Sequence, residues 1–223
     1  MTTDEQREYR QFRFQPPPEA TRVLLVRHGE SAPARPDSPF PLVGGQGDPE
    51  LAPEGRAQAE RVGNRLATEP IDAIYVTPLR RTAETAAPLA ERLGLRPSVE
   101  EDLREVHLGE WEGGLYRKHL ADGHPLAQRL RAEQRWDVIP GAERAEAFAA
   151  RVRGAVERLA AAHRGHRLAV FTHGGVIGQA LALATDSRPF AFIGADNGSI
   201  SELVIVGETW IVRRFNDTAH LTG

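Results

Sequence analysis

Two histidines stand directly after apolar runs of this chain, and each is followed by glycine. The first lies in LLVRHGES, residues 24–31, where His28 follows Arg27, and the second lies in VFTHGG, residues 170–175, where His173 precedes two glycines. A neutral imidazole is a nucleophile and a proton carrier, and a guanidinium binds phosphate oxygens with paired N–H donors. The two segments therefore predict an anion-binding catalytic site, provided that the fold brings them together.

Two further clusters supply more positive charge and a carboxyl group. VTPLRRTAETA, residues 76–86, places Arg80 and Arg81 at a predicted junction of strand and helix, where free N–H groups and the helix dipole favour an anion. One of these arginines can face the site, and Arg80 is expected to be solvated. Glu105 lies in the glycine-rich segment 103–114. Burial of such a carboxyl group raises its pKa, which suits a proton donor.

Two histidines, two or more arginines and one acid together suit phosphoryl transfer. The imidazole attacks phosphorus, the arginines bind the phosphate oxygens, and the carboxylic acid protonates the departing alcohol oxygen. Taken singly, each motif also has an ordinary structural interpretation: an ion-paired arginine at a sheet edge, a core histidine with one hydrogen bond, or a solvated loop carboxylate. Their combination favours a shared catalytic site.

Alternating strand and helix patterns predict how these residues are positioned. Strands are expected at 22–26, 71–76 and 167–172, with a short one near 96–103 and a hairpin at 199–215; helices are expected at 53–67, 79–95, 141–166 and 176–185. This alternation predicts an α/β fold, a three-layer α/β/α sandwich with a mostly parallel central sheet. Ligands bind at the carboxyl ends of strands in such folds, so His28 and His173 are expected to face one pocket.

A single domain is expected at 21–223, after a proline-rich flexible leader at 1–20. The periodicity weakens in the segment at about 114–140, and a small helical cap insertion is expected there. The segment 32–48 is rich in proline and glycine, which predicts a loop. This loop and the cap are expected to determine which substrate binds.

The composition excludes several classes of protein. The chain has no cysteine, which removes disulfides, thiolate metal sites and a cysteine nucleophile. No apolar segment is long enough to span a bilayer, and the N-terminal residues lack the apolar core of a secretory signal. The net charge of -3 gives no general attraction to nucleic acid or to anionic membranes. We therefore expect a cytoplasmic protein without nucleic-acid or membrane partners.

Five motifs, RHGE, TPLRRTAETA, LREVHLGEWEG, THGG and FNDTAHL, occur in this order between about Arg22 and Leu221. Together they resemble the histidine phosphatase superfamily, in the branch that includes the cofactor-dependent phosphoglycerate mutases and their phosphatase relatives. The resemblance implies a phosphoglycerate mutase-like fold. It also implies that His28 is the nucleophile that forms a phosphohistidine. Glu105 would be first the general acid for the leaving group and then the base for the attacking water.

The resemblance assigns the phosphoryl group to three side chains, Arg27, Arg81 and His173. They would bind its oxygens and stabilise its charge in the transition state. Arg81 is chosen over Arg80 because the family pattern places its arginine four residues after the position that Thr77 holds here.

Several neighbouring residues are expected to shape the site. Gly29 would leave room for the phosphoryl group, and Gly174 would let the backbone approach the substrate. The family often has an asparagine at the position of Ala34. One polar contact to the substrate is therefore expected to be missing, or to be supplied by Ser31 or Gln46.

The third motif has the form L-x-E-x-x-x-G-x-W-E-G, which resembles the phosphatase relatives rather than the mutases, and its Glu112 is expected to be structural. The predicted function is a metal-independent phosphomonoesterase, without a cofactor, that hydrolyses a small phosphorylated metabolite through a phosphohistidine. Two alternatives stay open: a phosphoglycerate mutase that uses 2,3-bisphosphoglycerate, and a non-catalytic phosphoester-binding relative. A homodimer is one option for its assembly.

Overall fold

A central sheet flanked by helices forms the computed structural model, which describes residues 9–222. The strands are β1 (Thr21–Arg27), β2 (Leu42–Val43), β3 (Gln46–Gly47), β4 (Ala73–Val76), β5 (Ser98–Val99), β6 (Arg167–Thr172), β7 (Ile200–Val206) and β8 (Thr209–Asp217). The helices are α1 (Pro53–Leu66), α2 (Arg80–Leu93), α3 (Leu115–Ala121), α4 (Pro125–Glu133), α5 (Ala145–Ala162) and α6 (Gly174–Thr185). Residues 1–8, which belong to the predicted leader, and residue 223 lie outside the described residues.

The six-stranded sheet has the order β5-β4-β6-β1-β7-β8. Its first four strands are parallel, and β7 and β8 run antiparallel to their neighbours. The register pairs Arg27 of β1 with Thr172 of β6 at their carboxyl ends. Since the next residue of each strand is a histidine, His28 and His173 leave the sheet side by side. The predicted sandwich is confirmed, with a mixed sheet whose parallel strands form the larger part.

Both faces of the sheet are covered, which explains the uninterrupted apolar run in the middle of β1. Along β1, Val23 and Leu25 join the core that includes α5 and α6. Leu24 and Val26 join the core that includes α1 and α2. Successive side chains of a strand point to opposite faces, so a strand buried on both faces needs apolar residues at every position. The two cores fix the strand ends that carry the candidate site.

The predicted elements occur in the expected order and differ from the structure mainly at their ends. Gly94 ends α2 with a φ of 64°, in the left-handed conformation that glycine adopts readily. The segment predicted as loop contains the short hairpin of β2 and β3. Gly44 and Gly45 both have positive φ there, which suits a tight two-residue turn. The predicted cap contains α3 and α4.

Glu19 and Phe14, in the described part of the leader at 9–20, contact the domain. Gly165 N donates to the Glu19 carbonyl over 3.1 Å. The guanidinium of Arg213 lies 4.1 Å from the centroid of the Phe14 ring. The flexibility of the leader stays a prediction. Across residues 9–222, the structure has no helix that combines the length and the apolar character needed to cross a membrane.

Candidate active site

The carboxyl ends of β1 and β6 bring the two histidines together. The centroids of the His28 and His173 rings are 5.2 Å apart, in an edge-to-face arrangement. Only 6% of His28 and 0% of His173 is exposed. The structure thus joins the two segments that are far apart in the sequence.

Two hydrogen bonds define the state of the His28 ring. Its Nδ1 lies 2.7 Å from the Gly29 carbonyl oxygen, which can only accept a hydrogen bond, so Nδ1 carries the proton. Its Nε2 accepts a hydrogen bond of 3.2 Å from Arg81 Nε. Burial, followed by the charges of Arg81 and Arg27, holds the pKa of His28 well below its usual value. The ring is therefore neutral at pH 7, with a lone pair on Nε2.

Arg27 and Arg81 have no carboxylate partner within the described part of the chain. Arg27 Nη1 donates to the Ala195 carbonyl, and the buried Nε of Arg27 has no partner among residues 9–222. Arg81 Nη1 donates to the Gly47 carbonyl over 2.9 Å. Burial lowers the pKa of Arg27, and it lowers the pKa of Arg81 to about 10. Since an unpaired buried charge is costly, the two guanidiniums favour the binding of an anion.

The Thr77 hydroxyl contacts the ring of His173 and is itself held by Thr82. Its Nε2 lies 3.0 Å from Thr77 Oγ1, which lies 3.1 Å from Thr82 Oγ1. Its Nδ1 is buried and has no partner in the described part of the chain, and burial lowers the pKa of the ring well below its usual value. Helix α6 begins at Gly174, so the positive end of the helix dipole adjoins this histidine. The site thus gains a hydrogen-bonding side chain and a helix N-terminus, both suited to an anion.

Glu105 supplies the carboxyl group of the site. Its Oε1 accepts a hydrogen bond of 2.9 Å from Val106 N, and its Oε2 accepts one of 3.2 Å from Gly175 N. Together with His28 and the two arginines, it lines a cavity of about 240 Å³. The carboxyl group and the nucleophilic imidazole therefore border the same space.

Two glycines of the motifs are required by close packing. A Cβ atom at Gly175 would lie 2.4 Å from Glu105 Oε1, so a side chain there displaces the carboxylate. A Cβ atom at Gly29 would lie 2.4 Å from the carbonyl oxygen of Gly55 in α1. The expectation that Gly29 leaves room for the phosphoryl group is wrong, because the first turn of α1 fills that space.

A partly buried ion pair supports the main chain at Glu105. Arg151 binds Glu143 through its Nε and Nη2 over 2.6 and 2.8 Å. Its Nη1 donates to the carbonyls of Asp102 and Arg104, each over 2.7 Å, and its Nη2 donates to the Glu105 carbonyl over 2.9 Å. These contacts fix the segment that carries the carboxyl group of the site.

Ser31 and Gln46, the expected replacements for the missing asparagine, both border the site. Ser31 Oγ accepts a hydrogen bond of 2.6 Å from Arg117 and lines a second, wider cavity. Gln46 Nε2 donates to the Glu105 carbonyl over 2.6 Å and lines the smaller cavity. Both side chains contact other residues of the site, and their direct contact with substrate stays a prediction.

Glu112 has structural contacts and Arg80 is solvated, as the sequence predicts for each. The two carboxylate oxygens of Glu112 accept hydrogen bonds of 2.8 Å from Leu108 N and Gly47 N. Glu112 therefore ties the third motif to the β2–β3 hairpin. Arg80 is exposed and ion-paired with Glu84 over 2.9 Å.

Sequence reasoning missed three residues that the structure places around the site. Asn197 Nδ2 donates to the His28 carbonyl over 2.9 Å, Arg117 borders both cavities, and Arg151 supports the Glu105 segment. None of them belongs to a recognisable motif. Only Arg117 offered a signal, since it follows the WEGG sequence shortly after its end, within the predicted cap.

Comparison with known proteins finds relatives over most of the chain. A model of the histidine phosphatase superfamily (branch 1) matches residues 23–218. Phosphoglycerate mutase-like protein 4 of Arabidopsis thaliana is 34% identical over 206 residues, which cover 89% of this chain and 86% of that protein. The metal-independent phosphoserine phosphatase of the same plant is 31% identical over 209 residues, which cover 92% of this chain and 84% of that protein.

Solved structures share the arrangement of strands and helices. A mycobacterial glucosyl-3-phosphoglycerate phosphatase has a TM-score of 0.74 at 29% identity, with 89% of this chain and 100% of that chain covered. The phosphoglycerate mutase of Bacillus anthracis has a TM-score of 0.76 at 20% identity, with 91% and 96% covered, and shows the likeness of fold alone. The predicted phosphoglycerate mutase-like α/β fold is confirmed.

Proposed function

Since this chain belongs to the histidine phosphatase superfamily and is a phosphatase of small phosphorylated metabolites, we propose that it hydrolyses a phosphomonoester in two steps, through a phosphohistidine at His28 and without a metal ion. One observation carries the proposal. The neutral His28 ring keeps a lone pair on Nε2 beside a guanidinium that lacks a carboxylate partner among the described residues. Such surroundings attract a phosphate dianion and keep the nucleophile unprotonated.

In the first step, the His28 Nε2 lone pair attacks the phosphorus atom, and the bond from phosphorus to the ester oxygen breaks. Glu105 gives its proton to that oxygen, so the alcohol leaves as a neutral molecule. Arg81 Nε, which donates to His28 Nε2 in this structure, gives up that hydrogen bond and donates to a phosphate oxygen instead. The Gly29 carbonyl accepts a hydrogen bond from Nδ1–H, which keeps its proton, and so stabilises the positive charge that develops on the ring.

In the second step, the Glu105 carboxylate takes a proton from water while the water oxygen attacks the phosphorus of the phosphohistidine. The P–N bond breaks, inorganic phosphate leaves, and the electron pair returns to His28 Nε2. Arg27, Arg81 and His173 bind the non-bridging oxygens in both steps. The two guanidiniums supply the positive charge that stabilises the transition state, so the scheme requires no metal ion.

The names of the relatives support hydrolysis as the outcome. Two of the proteins reported above are phosphatases by name, and one is called metal-independent. The third motif of this chain has the form that resembles phosphatases rather than mutases. We propose a small-molecule phosphoester as the substrate. The cytoplasmic location, the homodimer, and the lack of nucleic-acid and membrane partners stay predictions.

Trapping of a phosphoenzyme tests the two-step reaction. Wild type, His28→Ala and Glu105→Gln are mixed with radiolabelled phosphoester, quenched in alkali and assayed for acid-labile phosphohistidine. We expect label on the wild type and none on His28→Ala. With p-nitrophenyl phosphate, whose leaving group needs no proton, Glu105→Gln is expected to give a burst of one p-nitrophenol per enzyme, because water attack is slowed without the base.

The exposed His166 provides a matched control, since His166→Ala removes a histidine outside the site and is expected to keep full label and turnover. Full phosphatase activity in His28→Ala contradicts the nucleophile. Loss of wild-type activity after removal of divalent ions contradicts metal independence. Interconversion of 2- and 3-phosphoglycerate that outpaces phosphate release contradicts hydrolysis and restores the mutase alternative.

A further inference from the structure

The loop at residues 195–198, just before β7, contacts the main chain of the candidate nucleophile. Asn197 Nδ2 donates to the His28 carbonyl over 2.9 Å. Gly198 N donates to the carbonyls of Arg27 and His28 over 3.0 and 3.3 Å. The hydrogen bonds of this loop thus converge on the two carbonyls that lie on either side of the His28 Cα atom.

The same loop also holds a side chain of the site. Its Ala195 carbonyl accepts a hydrogen bond from Arg27 Nη1. From the direction of β6, the Thr172 carbonyl accepts a hydrogen bond of 3.0 Å from His28 N. The sheet therefore fixes one side of the nucleophile, and the 195–198 loop fixes the other.

The last of the five sequence motifs, FNDTAHL at 215–221, holds this loop from its outer side. Asp196 N donates to Asn216 Oδ1 over 2.6 Å, and Asn216 Nδ2 donates to Asp196 Oδ2 over 2.7 Å. The amide group of Asn216 thus binds both the main chain and the side chain of one residue in the middle of the loop. No step of the proposed reaction uses this motif, so its contacts need another explanation.

An irregularity in β8 directs Asn216 toward the loop. The register of β7 and β8 shifts between the pair Ile200 and Asp217 and the pair Glu202 and Arg214. Asn216 lies within the shift and has a φ of 55°, in the left-handed region where asparagine is enriched. Bulges of this kind re-aim side chains and are frequent next to active sites. The bend in β8 therefore serves the contact with Asp196.

His220, in the same motif, contacts the loop at Gly198. Its Nε2 lies 3.0 Å from the Gly198 carbonyl oxygen, which can only accept a hydrogen bond, so Nε2 carries the proton. Burial lowers the pKa of the ring, which keeps it neutral at pH 7. The adjoining Leu221 packs against the core that includes α1 and α2. The turn at Ala219–Leu221 is thus anchored to the core and supports the loop.

We propose that Asn216 and His220 are positioning residues for phosphoryl transfer, which fix His28 through the 195–198 loop so that its Nε2 attacks in line with the bond that breaks. This inference rests on the proposed function. In-line attack depends on the exact position of the nucleophile, and a displacement of about 1 Å costs about 100-fold in rate. The charge of the two guanidiniums attracts an anion with less dependence on position. Loss of the contacts of the motif therefore weakens the transition state more than the bound phosphate.

Vanadate and inorganic phosphate separate these two effects. Vanadate forms a bond to the nucleophile and mimics the five-coordinate transition state, whereas phosphate binds without such a bond. In Asn216→Gly, glycine keeps the left-handed conformation and both hydrogen bonds to Asp196 are lost. With p-nitrophenyl phosphate as substrate, we expect the Ki of vanadate to rise about tenfold and that of phosphate by at most about twofold. We also expect kcat/KM to fall about tenfold.

Replacement of His220 tests the second contact independently. His220→Leu removes the donor to the Gly198 carbonyl and is expected to raise the ratio of the two Ki values in the same direction. In His220→Gln the side-chain amide again offers an N–H donor to that carbonyl, so we expect most of the wild-type ratio to return. Failure of His220→Gln to recover any of the ratio contradicts the role of this hydrogen bond.

Asp186→Gly is the matched control for Asn216→Gly. Asp186 is also a polar residue with a left-handed φ, of 49°, and it is exposed at the end of α6, outside the loop and the motif. It is expected to keep both wild-type Ki values. A purely structural role for the motif lowers the amount of folded enzyme, which changes the rate but neither Ki. A wild-type ratio of the two Ki values in Asn216→Gly or in His220→Leu overturns the role of that residue.

A failure of the proposed function gives a different result. If the wild type forms no phosphohistidine, or if His28→Ala keeps full activity, then the proposed function is contradicted and this inference falls with it. If the wild type forms the phosphohistidine and both variants keep its ratio of Ki values, the phosphatase stands and only the role of the motif is overturned. Circular dichroism of each variant at the assay temperature verifies that the fold is intact.

Discussion

Arg81 and Arg151 are both largely buried, yet their surroundings are opposite. Arg81 is 8% exposed, and its partners are a neutral imidazole and one main-chain carbonyl. The side chain of Arg151 is 12% exposed, and it binds the Glu143 carboxylate and three carbonyls. A guanidinium with a counter-ion and saturated donors stabilises the fold. A buried guanidinium without a counter-ion favours the binding of an anionic ligand.

Other buried groups of the candidate site, like Arg81, lack partners for their charge or their hydrogen bonds. Among the described residues, Arg27 Nε and His173 Nδ1 are buried without partners, and neither the Arg27 nor the Arg81 guanidinium meets a carboxylate. Unmet buried polar groups lower the free energy of unfolding. The unpaired groups of the site therefore lower the free energy of unfolding, and a bound phosphate raises it again. The polar groups around Arg151 have their partners without a ligand.

Replacement of Arg81 is the most severe test of this contrast. Arg81→Met keeps most of the side-chain volume and removes the charge. We expect kcat/KM to fall about 1,000-fold, or ~4 kcal/mol of transition-state stabilisation, because a phosphate-binding guanidinium is lost. The free energy of unfolding is expected to stay level or rise, since an unpaired buried charge is removed. Steady-state kinetics and urea titration measure the two quantities.

The neighbouring Arg80 provides the control for this replacement. Arg80 is exposed and ion-paired with Glu84, so Arg80→Met is expected to leave kcat/KM at the wild-type level. An Arg81→Met variant that is less stable than the wild type but fully active contradicts the distinction between the two kinds of buried arginine.

Replacement of Arg151 is expected to have the opposite pattern. Arg151→Met leaves Glu143 without its counter-ion and deprives three carbonyls of their donor. We expect the free energy of unfolding to fall by about 3 kcal/mol, near the lower end of the range for breaking a buried ion pair, because both side chains keep some contact with solvent. Urea titration measures the loss. The double variant Arg151→Met with Glu143→Leu is expected to recover part of it, and a single variant as stable as the wild type refutes the supporting role.

The same division explains what the sequence could predict. Arg27, His28 and His173 occur in short contiguous motifs at strand ends, where the rule for ligand position in α/β folds applies. Arg151 stands within a long amphipathic helix and resembles other surface arginines in the sequence. Its carboxylate partner, Glu143, lies eight residues earlier in the chain. Its carbonyl partners lie in the distant segment 102–105, and only the folded chain brings them to Arg151. Motifs thus reveal the groups that react, and tertiary structure reveals those that hold them.

The fold shows a similar limit. Long apolar or amphipathic elements such as β1 and α1 are predicted within two residues, because burial imposes a clear periodicity on them. The hairpin of β2 and β3 has two residues in each strand, too few to show any period. The expectation for Gly29 fails for another reason, because the atoms closest to it belong to Gly55 in a different element. Contacts between distant elements have no local signal in one sequence.

A methyl group at Gly175 tests how finely the carboxylate is placed. The Cβ of Gly175→Ala would lie 2.4 Å from Glu105 Oε1, whereas that of Gly174→Ala would lie 3.4 Å from Arg27 Nε. We expect kcat/KM to fall about tenfold to 100-fold in Gly175→Ala, because the displaced carboxyl group no longer reaches the leaving oxygen. Stability is expected to change little, since alanine favours helices and the carboxylate, at the far end of a flexible side chain, moves aside with the loss of its two main-chain hydrogen bonds.

Gly174→Ala lies on the same turn of α6 and is expected to lose much less activity, which makes it the matched control. The loss in Gly175→Ala is also expected to depend on the leaving group, and to be smallest for p-nitrophenyl phosphate. Equal losses in the two variants contradict the placement of Glu105 by Gly175.

The smallest expected effect is on the pH dependence of stability, and it concerns the neutral histidines of the site. Burial holds the pKa values of His28 and His173 well below 6.5, so on acidification the unfolded chain takes up their protons first. The free energy of unfolding therefore falls as the pH drops below about 6.5, by up to ~1.4 kcal/mol per pH unit for each histidine. His173→Asn removes one of these contributions, whereas the exposed His166→Asn is expected to retain the wild-type slope. Urea titrations between pH 7 and pH 5 in phosphate-free buffer measure the slopes, and an unchanged slope in His173→Asn shows that this histidine is charged in the folded protein.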